Sequence, residues 1–206
     1  MTDIASIMQM GPVIPVLVIN DSATARPIAE ALVSGGLRVL EVTLRTPAAL
    51  DAIAVMREVD GAVVGAGTVL NKGQLADAKS AGSEFIVSPG LTQNLANAAI
   101  DDGIPFLPGI ATASDIMRGM EMGLKHFKFF PAEASGGLGA LKALASPFRE
   151  ARFCPTGGIR QETASQWLDH PSVLCVGGSW LVSAQGPQDY AAITQRAKAA
   201  SKLMRN

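Results

Sequence analysis

Several things are scarce in this chain of 206 residues. Cysteine occurs twice, at Cys154 and Cys175, each inside an apolar run. There is no Cys-x-x-Cys, so a zinc ribbon or a dithiol redox pair lacks its spacing. The two read as small buried hydrophobes in a reducing compartment. Histidine also occurs twice. His126 lies in an apolar run and reads as buried and hydrogen-bonded. His170 precedes Pro171 and reads as an exposed loop residue. They have no ligand spacing between them, so no metal and no other cofactor is expected. A basic excess is missing too: 17 Lys+Arg face 18 Asp+Glu, for a net charge of −1. That argues against a nucleic-acid partner, which usually demands a positive face. Long hydrophobic runs are absent as well. None approaches the roughly 20 apolar residues of a membrane span. Runs such as Val13–Ile19 and Val173–Val176 are short, and Gly or Pro interrupts them. Met1–Met10 carries no basic residue and cannot be a standard signal peptide. The expected location is the cytoplasm, with no membrane partner.

What is abundant fits a large buried core. Hydrophobic residues make up 48% of the chain and charged residues 17%, which excludes disorder. Twenty-one Gly and twelve Pro imply frequent turns. Apolar runs and Ala-rich amphipathic segments alternate along the chain. The strands are expected at Val13–Ile19, Arg38–Leu44, Ala62–Val69, Glu84–Ser88, Pro105–Pro108, His126–Phe130, Arg152–Thr156 and Val173–Val176. Between and after them, helices are expected at Ala23–Ser34, Pro47–Glu58, Lys72–Ser80, Thr92–Ile100, Ala113–Met122, Gly137–Ala145, Gln161–Leu168 and Pro187–Met204. The strands are continuous apolar runs, as expected where both sheet faces are covered. Eight units of about 25 residues predict one compact (β/α)8 TIM barrel over residues 1–206, at the small end of that fold. A doubly wound open sheet is the alternative. Residues 1–10 read as a short helix able to cap the closed end.

In a (β/α)8 fold the chemistry sits at the C-terminal ends of the strands. Lys128 stands in His-Phe-Lys-Phe-Phe-Pro, inside a run that is otherwise aromatic. Burying an ammonium is costly. Desolvation favours the neutral amine, a nucleophile able to form a Schiff base with a carbonyl. Glu41 stands mid-strand in Leu-Glu-Val-Thr-Leu-Arg, on the face of Val39 and Thr43 by period-two alternation. Lys128 and Glu41 could be a nucleophile and its proton-transfer partner, or a structural ion pair. Arg45, at the end of the same strand as Glu41, shares its face by parity and could fork a carboxylate, or simply be solvated. Gly157-Gly158 and Gly177-Gly178-Ser179 close the seventh and eighth strands, where barrels often hold phosphate on backbone N–H groups. Gly65-Ala66-Gly67-Thr68 lacks the third glycine of a dinucleotide fingerprint.

Taken in order, the strand ends read Glu-Val-Thr-Leu-Arg-Thr, Gly-Ala-Gly-Thr-Val, Ser-Pro-Gly, Lys-Phe-Phe-Pro-Ala-Glu, Pro-Thr-Gly-Gly-Ile and Gly-Gly-Ser-Trp. This series, from about Ile14 to Gln195, resembles the 2-dehydro-3-deoxy-6-phosphogluconate (KDPG) and 4-hydroxy-2-oxoglutarate (KHG) aldolase family. The resemblance implies a metal-independent class I aldolase on a (β/α)8 barrel, a homotrimer acting on a phosphorylated 2-keto acid. It implies Lys128 as the Schiff-base lysine and Glu41 as the general acid/base. Arg45 and Thr68 would hold the pyruvyl carboxylate, with Pro89 lining the same pocket and Phe130 flanking the imine. Gly157, Gly158, Gly178 and Ser179 would form the phosphate end. Thr156 matches the gluconate-type enzymes, whereas the galactonate-type sibling tends to be apolar there. A galactonate-type aldolase, another phosphosugar enzyme such as an epimerase or isomerase, and a barrel without catalysis are the competing readings.

Overall fold

The computed structural model describes residues 3–203. Asp3 caps the first helix α1 (Ile4–Gln9), its carboxylate accepting from Ser6 N at 2.7 Å. Strand β1 (Val13–Leu17) follows, then a 3-10 turn at Ser22–Thr24 and α2 (Ala25–Ser34). The chain continues with β2 (Val39–Thr43), α3 (Ala49–Met56), β3 (Val63–Gly67), α4 (Lys72–Ser80), β4 (Phe85–Val87) and α5 (Gln93–Asp101). Next are β5 (Phe106–Leu107), β6 (Gly109–Ile110), α6 (Ala113–Glu121), β7 (His126–Phe129), α7 (Gly137–Ala145), β8 (Arg152–Pro155), α8 (Gln161–Leu168), β9 (Val176–Gly178) and α9 (Tyr190–Ala200). Most boundaries lie within two residues of the expected ones. The 3-10 turn delays α2, Pro47 lies outside α3, and Asp189 rather than Pro187 caps α9 by accepting from Ala192 N. The expected helix end at Met204 lies outside the described residues.

The strands form a curled parallel sheet. Six pair in the order β5-β4-β3-β2-β1-β9, and three more in the order β6-β7-β8. A single residue, Pro108, separates β5 from β6. Isolated parallel bridges join Phe153 to Val173 and Thr156 to Gly177. The last strand is the one misplaced by sequence reading. Residues 172–174 lean on β8, with Phe153 N donating to Ser172 O and Leu174 N to Phe153 O. Only from Val176 does the chain pair with β1. Glycines 177 and 178 therefore lie within the strand, where no β-branched residue announces it.

Alternation along the strands separates two apolar layers. Leu40, Val42, Val64, Ala66, Ile86, Phe106, Phe127, Phe129 and Phe153 face the helices. Ile14, Val39, Val63, Phe85, Val87, Leu107, Cys154 and Cys175 cluster on the inner face, closed by Ile7 and Met8 of α1. The short first helix thus plugs the end from which the strands start. The two cysteines are buried thiols, as expected. Among the described residues, no helix is long and apolar enough to cross a membrane.

Candidate active site

Beyond its apolar floor, the inner face changes character. Val39 belongs to the floor, and Glu41 shares its side of β2 one step further along. Phe127 and Phe129 of β7 turn toward the helices, so Lys128 between them turns inward. The registers Glu41↔Gly65 and Lys128↔Cys154 place both residues just past the floor. Lys128 Nζ donates to Glu41 Oε1 at 2.9 Å, across a sequence separation of 87 residues. Both side chains are almost wholly buried, at 6% and 4% exposure.

Glycine makes the room. A Cβ on Gly67 would lie 2.3 Å from Glu41 Oε1, and one on Gly65 would lie 2.5 Å from the Phe85 ring. Small residues on β3 thus let a carboxylate lie over an aromatic floor. Gly67 was not singled out from the sequence. The signal was there in Gly-Ala-Gly-Thr, a motif from which only Thr68 was taken as a site residue.

The other expected residues surround this pair. Phe130 turns its ring to the ammonium, with Nζ 5.3 Å from the centroid, in reach of a cation–π contact. Arg45 is exposed at the end of β2 and its Nε donates to Thr68 Oγ1 at 3.3 Å. Thr68 holds a φ of 59°. A β-branched residue in that region is strained, and such strain clusters at ligand clamps. Pro89 is exposed beyond β4, where a Cβ on Gly109 would collide with its carbonyl at 2.2 Å. Thr43 secures β2 to β1 by donating to Leu17 O at 2.8 Å.

The residues expected at a phosphate end also meet. Thr156 is buried, at 6% exposure, and bridges to Gly177. A Cβ on Gly177 would stand 2.2 Å from Thr156 Oγ1, and one on Gly178 2.4 Å from the Trp180 ring. Gly157 and Gly158 hold φ values of 103° and 82°, a conformation suited to glycine. Ser179 is exposed beside them. Asn20 Nδ2 donates to Ala184 O at 2.7 Å, tying the loop after β1 to the loop after β9.

The two histidines stand apart from this site. His126 is half-buried rather than buried, at the start of β7. Burial holds its imidazole below the usual range, with Asp3 opposing and Arg152 and Lys125 reinforcing the effect. His170 is half-buried as well, not a free loop residue. Among the described residues, no three His, Cys, Asp or Glu side chains are grouped to hold a metal ion.

The chain is similar to known proteins over nearly its whole length. The family model "KDPG and KHG aldolase" matches residues 4–196. The 2-dehydro-3-deoxy-phosphogluconate aldolase of Zymomonas mobilis is 60% identical over 205 residues, covering 100% of this chain and 98% of that protein. The KHG/KDPG aldolase of Escherichia coli is 55% identical, covering 97% and 95%. A crystal structure of KDPG aldolase from Legionella pneumophila, with pyruvate captured at low pH as a covalent carbinolamine, superposes with a TM-score of 0.92. It is 43% identical, covering 98% of this chain and 99% of that one.

Proposed function

The chain belongs to the KDPG and KHG aldolase family, and from that premise we propose that it cleaves 2-dehydro-3-deoxy-6-phosphogluconate to pyruvate and glyceraldehyde 3-phosphate through a Schiff base on Lys128. The observation that carries this reading is the buried contact of Lys128 Nζ with Glu41 Oε1 at 2.9 Å. Removing two charges from water for structure alone is expensive, and hydrophobic residues would fill the space at lower cost. An amine beside a carboxylate, by contrast, is a nucleophile beside a proton shuttle.

The Lys128 amine attacks the C2 carbonyl, giving a carbinolamine that loses water to an imine, with Glu41 moving the protons. Glu41 then takes the C4 hydroxyl proton. The C3–C4 bond breaks, its electrons pass into the imine, and glyceraldehyde 3-phosphate departs. The enamine left behind is protonated at C3, and water releases pyruvate. Arg45 and Thr68 hold the pyruvyl carboxylate, with Pro89 beside it and Phe130 flanking the imine. Thr156, Gly157, Gly158, Gly178 and Ser179 hold the phosphate end. Fixing both ends lowers the entropic cost of aligning the bond to be broken. No cofactor enters the scheme. The name of the E. coli relative supports a second substrate, 4-hydroxy-2-oxoglutarate, cleaved to pyruvate and glyoxylate.

The scaffold is proposed to be a single (β/α)8 barrel domain spanning the chain. The bridges Phe153–Val173 and Thr156–Gly177 support closure, since they link β8 toward β9 while β9 pairs β1. A cytoplasmic homotrimer is part of the same proposal. Buried thiols support a reducing compartment, and exposed Met117 and Ile100 offer apolar surface for association.

Borohydride added with pyruvate is expected to leave a stable adduct on Lys128. Lys128→Ala is expected to abolish the adduct and to lower turnover by on the order of 10³-fold or more. Undiminished turnover in that variant would overturn the scheme. Pyruvate release from the two C4-epimeric substrates, with and without EDTA, tests the rest. Faster cleavage of the gluconate epimer, insensitive to EDTA, is expected.

A further inference from the structure

The chemistry above uses only the C-terminal ends of the strands. At the opposite end, a cavity of about 410 Å³ opens where the end of α7, the start of β8 and the turn after α8 meet. Lys142, Arg149, Arg152 and His170 line it, together with the hydroxyl-bearing Ser146 and Ser172, and no carboxylate does. Its size is within the range of small-molecule pockets.

The lining carries cations only. Among the described residues, none of Lys142, Arg149 and Arg152 takes part in an ion pair. Two carboxylates flank the cavity. Glu150 is engaged by Lys125 at 2.5 Å, and Asp169 stands at the end of α8 with its backbone N–H bonded into the helix; neither lines the cavity. Arg152 is pre-oriented, its Nη1 donating to Arg149 O at 2.9 Å and Ala151 O at 3.0 Å. Those bonds fix the guanidinium without neutralising it. His170 Nδ1 accepts from Ser172 N at 3.2 Å, so a neutral ring carries its proton on Nε2 and still offers a donor. Three cations, one imidazole N–H and two hydroxyls thus converge, in a chain whose net charge is −1.

We propose that this cavity binds a small phosphorylated molecule carrying two or more negative charges, at a site separate from the substrate site. A pocket with three cations suits a compact polyanion better than a long nucleic-acid backbone, whose affinity grows with the number of phosphates neutralised. Arg152 lies four residues before Thr156, about 13 Å along the strand, so the occupant and the substrate do not overlap. Burial, reinforced by the Lys142 ammonium, already holds the His170 imidazole below its usual range. An anion in the cavity reverses that influence, which makes His170 a local reporter.

Inorganic pyrophosphate is the probe. Titrated into the full chain at constant ionic strength, it is expected to move the His170 imidazole NMR signal saturably and to raise its apparent pKa. His126, which also senses Arg152, is expected to move less. The double variant Lys142→Ala/Arg149→Ala is expected to bind pyrophosphate roughly tenfold or more weakly at this reporter, about the factor a charge-assisted contact supplies. Its aldol cleavage without pyrophosphate should stay at the parent rate, which also confirms that it folds. Three results would overturn the proposal: a His170 signal that chloride moves as much, an unchanged affinity in the double variant, or tighter binding of a single-stranded oligonucleotide at equal phosphate concentration.

Discussion

His126 and Lys128 sit two residues apart on the same face of β7, yet they meet opposite surroundings. His126 lies at the plugged end of the sheet, half-buried near Asp3 of the capping helix. Lys128 lies just past the apolar floor, buried against Glu41. Between these levels, the inner face passes from Val39, Val63 and Phe85 to Glu41, Gly67 and Thr156. One end is built to exclude water and hold the sheet together. The other gives up packing for a charged pair and for glycines that make room. A substitution at the first end should therefore tax stability, and one at the second should tax chemistry.

The largest effect is expected from Glu41→Gln. An amide keeps the shape and a hydrogen bond to the amine but cannot carry a proton. Turnover is expected to fall by roughly 10²- to 10⁴-fold, the usual worth of a general acid/base. Imine formation with pyruvate, followed by borohydride trapping, should be slowed but still detectable. If turnover is retained, Glu41 is only the structural partner of Lys128 and the contrast between the two ends loses its chemical meaning.

How much of this contrast was legible beforehand depended on whether the signal was local. Helices such as Lys72–Ser80 and Gly137–Ala145 matched to the residue, because periodic Ala and Leu and a flanking Asn or Gly are written into contiguous sequence. Lys128 and Glu41 were legible for a similar reason: a charge inside an apolar run is conspicuous. Their pairing was anticipated from chemistry, one buried cation needing one buried anion, although 87 residues separate them and only the curl of the sheet brings them to 2.9 Å. Gly67 was missed because its role is defined by the side chain it must not touch. The last strand was misplaced because most of its apolar residues precede the stretch that pairs with β1, while Val176 and two glycines do the pairing. The cationic cavity has no sequence signal at all: Lys142, Arg149, Arg152 and His170 come from α7, the loop after it, β8 and the turn after α8, and look like ordinary surface charges.

Met8→Ala probes the plugged end and ranks next. Met8 is fully buried in the inner cluster, and truncation there leaves a cavity under the floor. The expected loss is about 2–5 kcal/mol of unfolding free energy, as for other large-to-small core changes. Below the melting transition, kcat should stay within about twofold of the parent, because the floor residues around Phe85 still separate α1 from Glu41. Denaturant unfolding and steady-state kinetics on one preparation give both numbers. A selective loss of kcat with intact stability would show that the plug is part of the catalytic apparatus.

The smallest expected effect is the pH dependence that His126 imposes. Burial is the main cause of its lowered folded pKa, Asp3 works against it, and Arg152 and Lys125 add to it. The unfolded chain titrates near the ordinary value of 6.5. Above that pH the ring is neutral in both states and makes no difference. As the pH falls through 6.5, the unfolded state takes up a proton that the folded state resists, so stability declines toward the lower folded pKa. One proton sets a ceiling of about 1.4 kcal/mol per pH unit, and a half-exposed ring should fall well short of it. His126→Gln removes this slope and leaves that of His170, whose imidazole is lowered by burial as well. Unfolding free energies at pH 7.5 and 5.5 should therefore differ less in His126→Gln than in the parent. Equal differences would mean that water reaches His126 freely, and that α1 does not seal its end of the sheet.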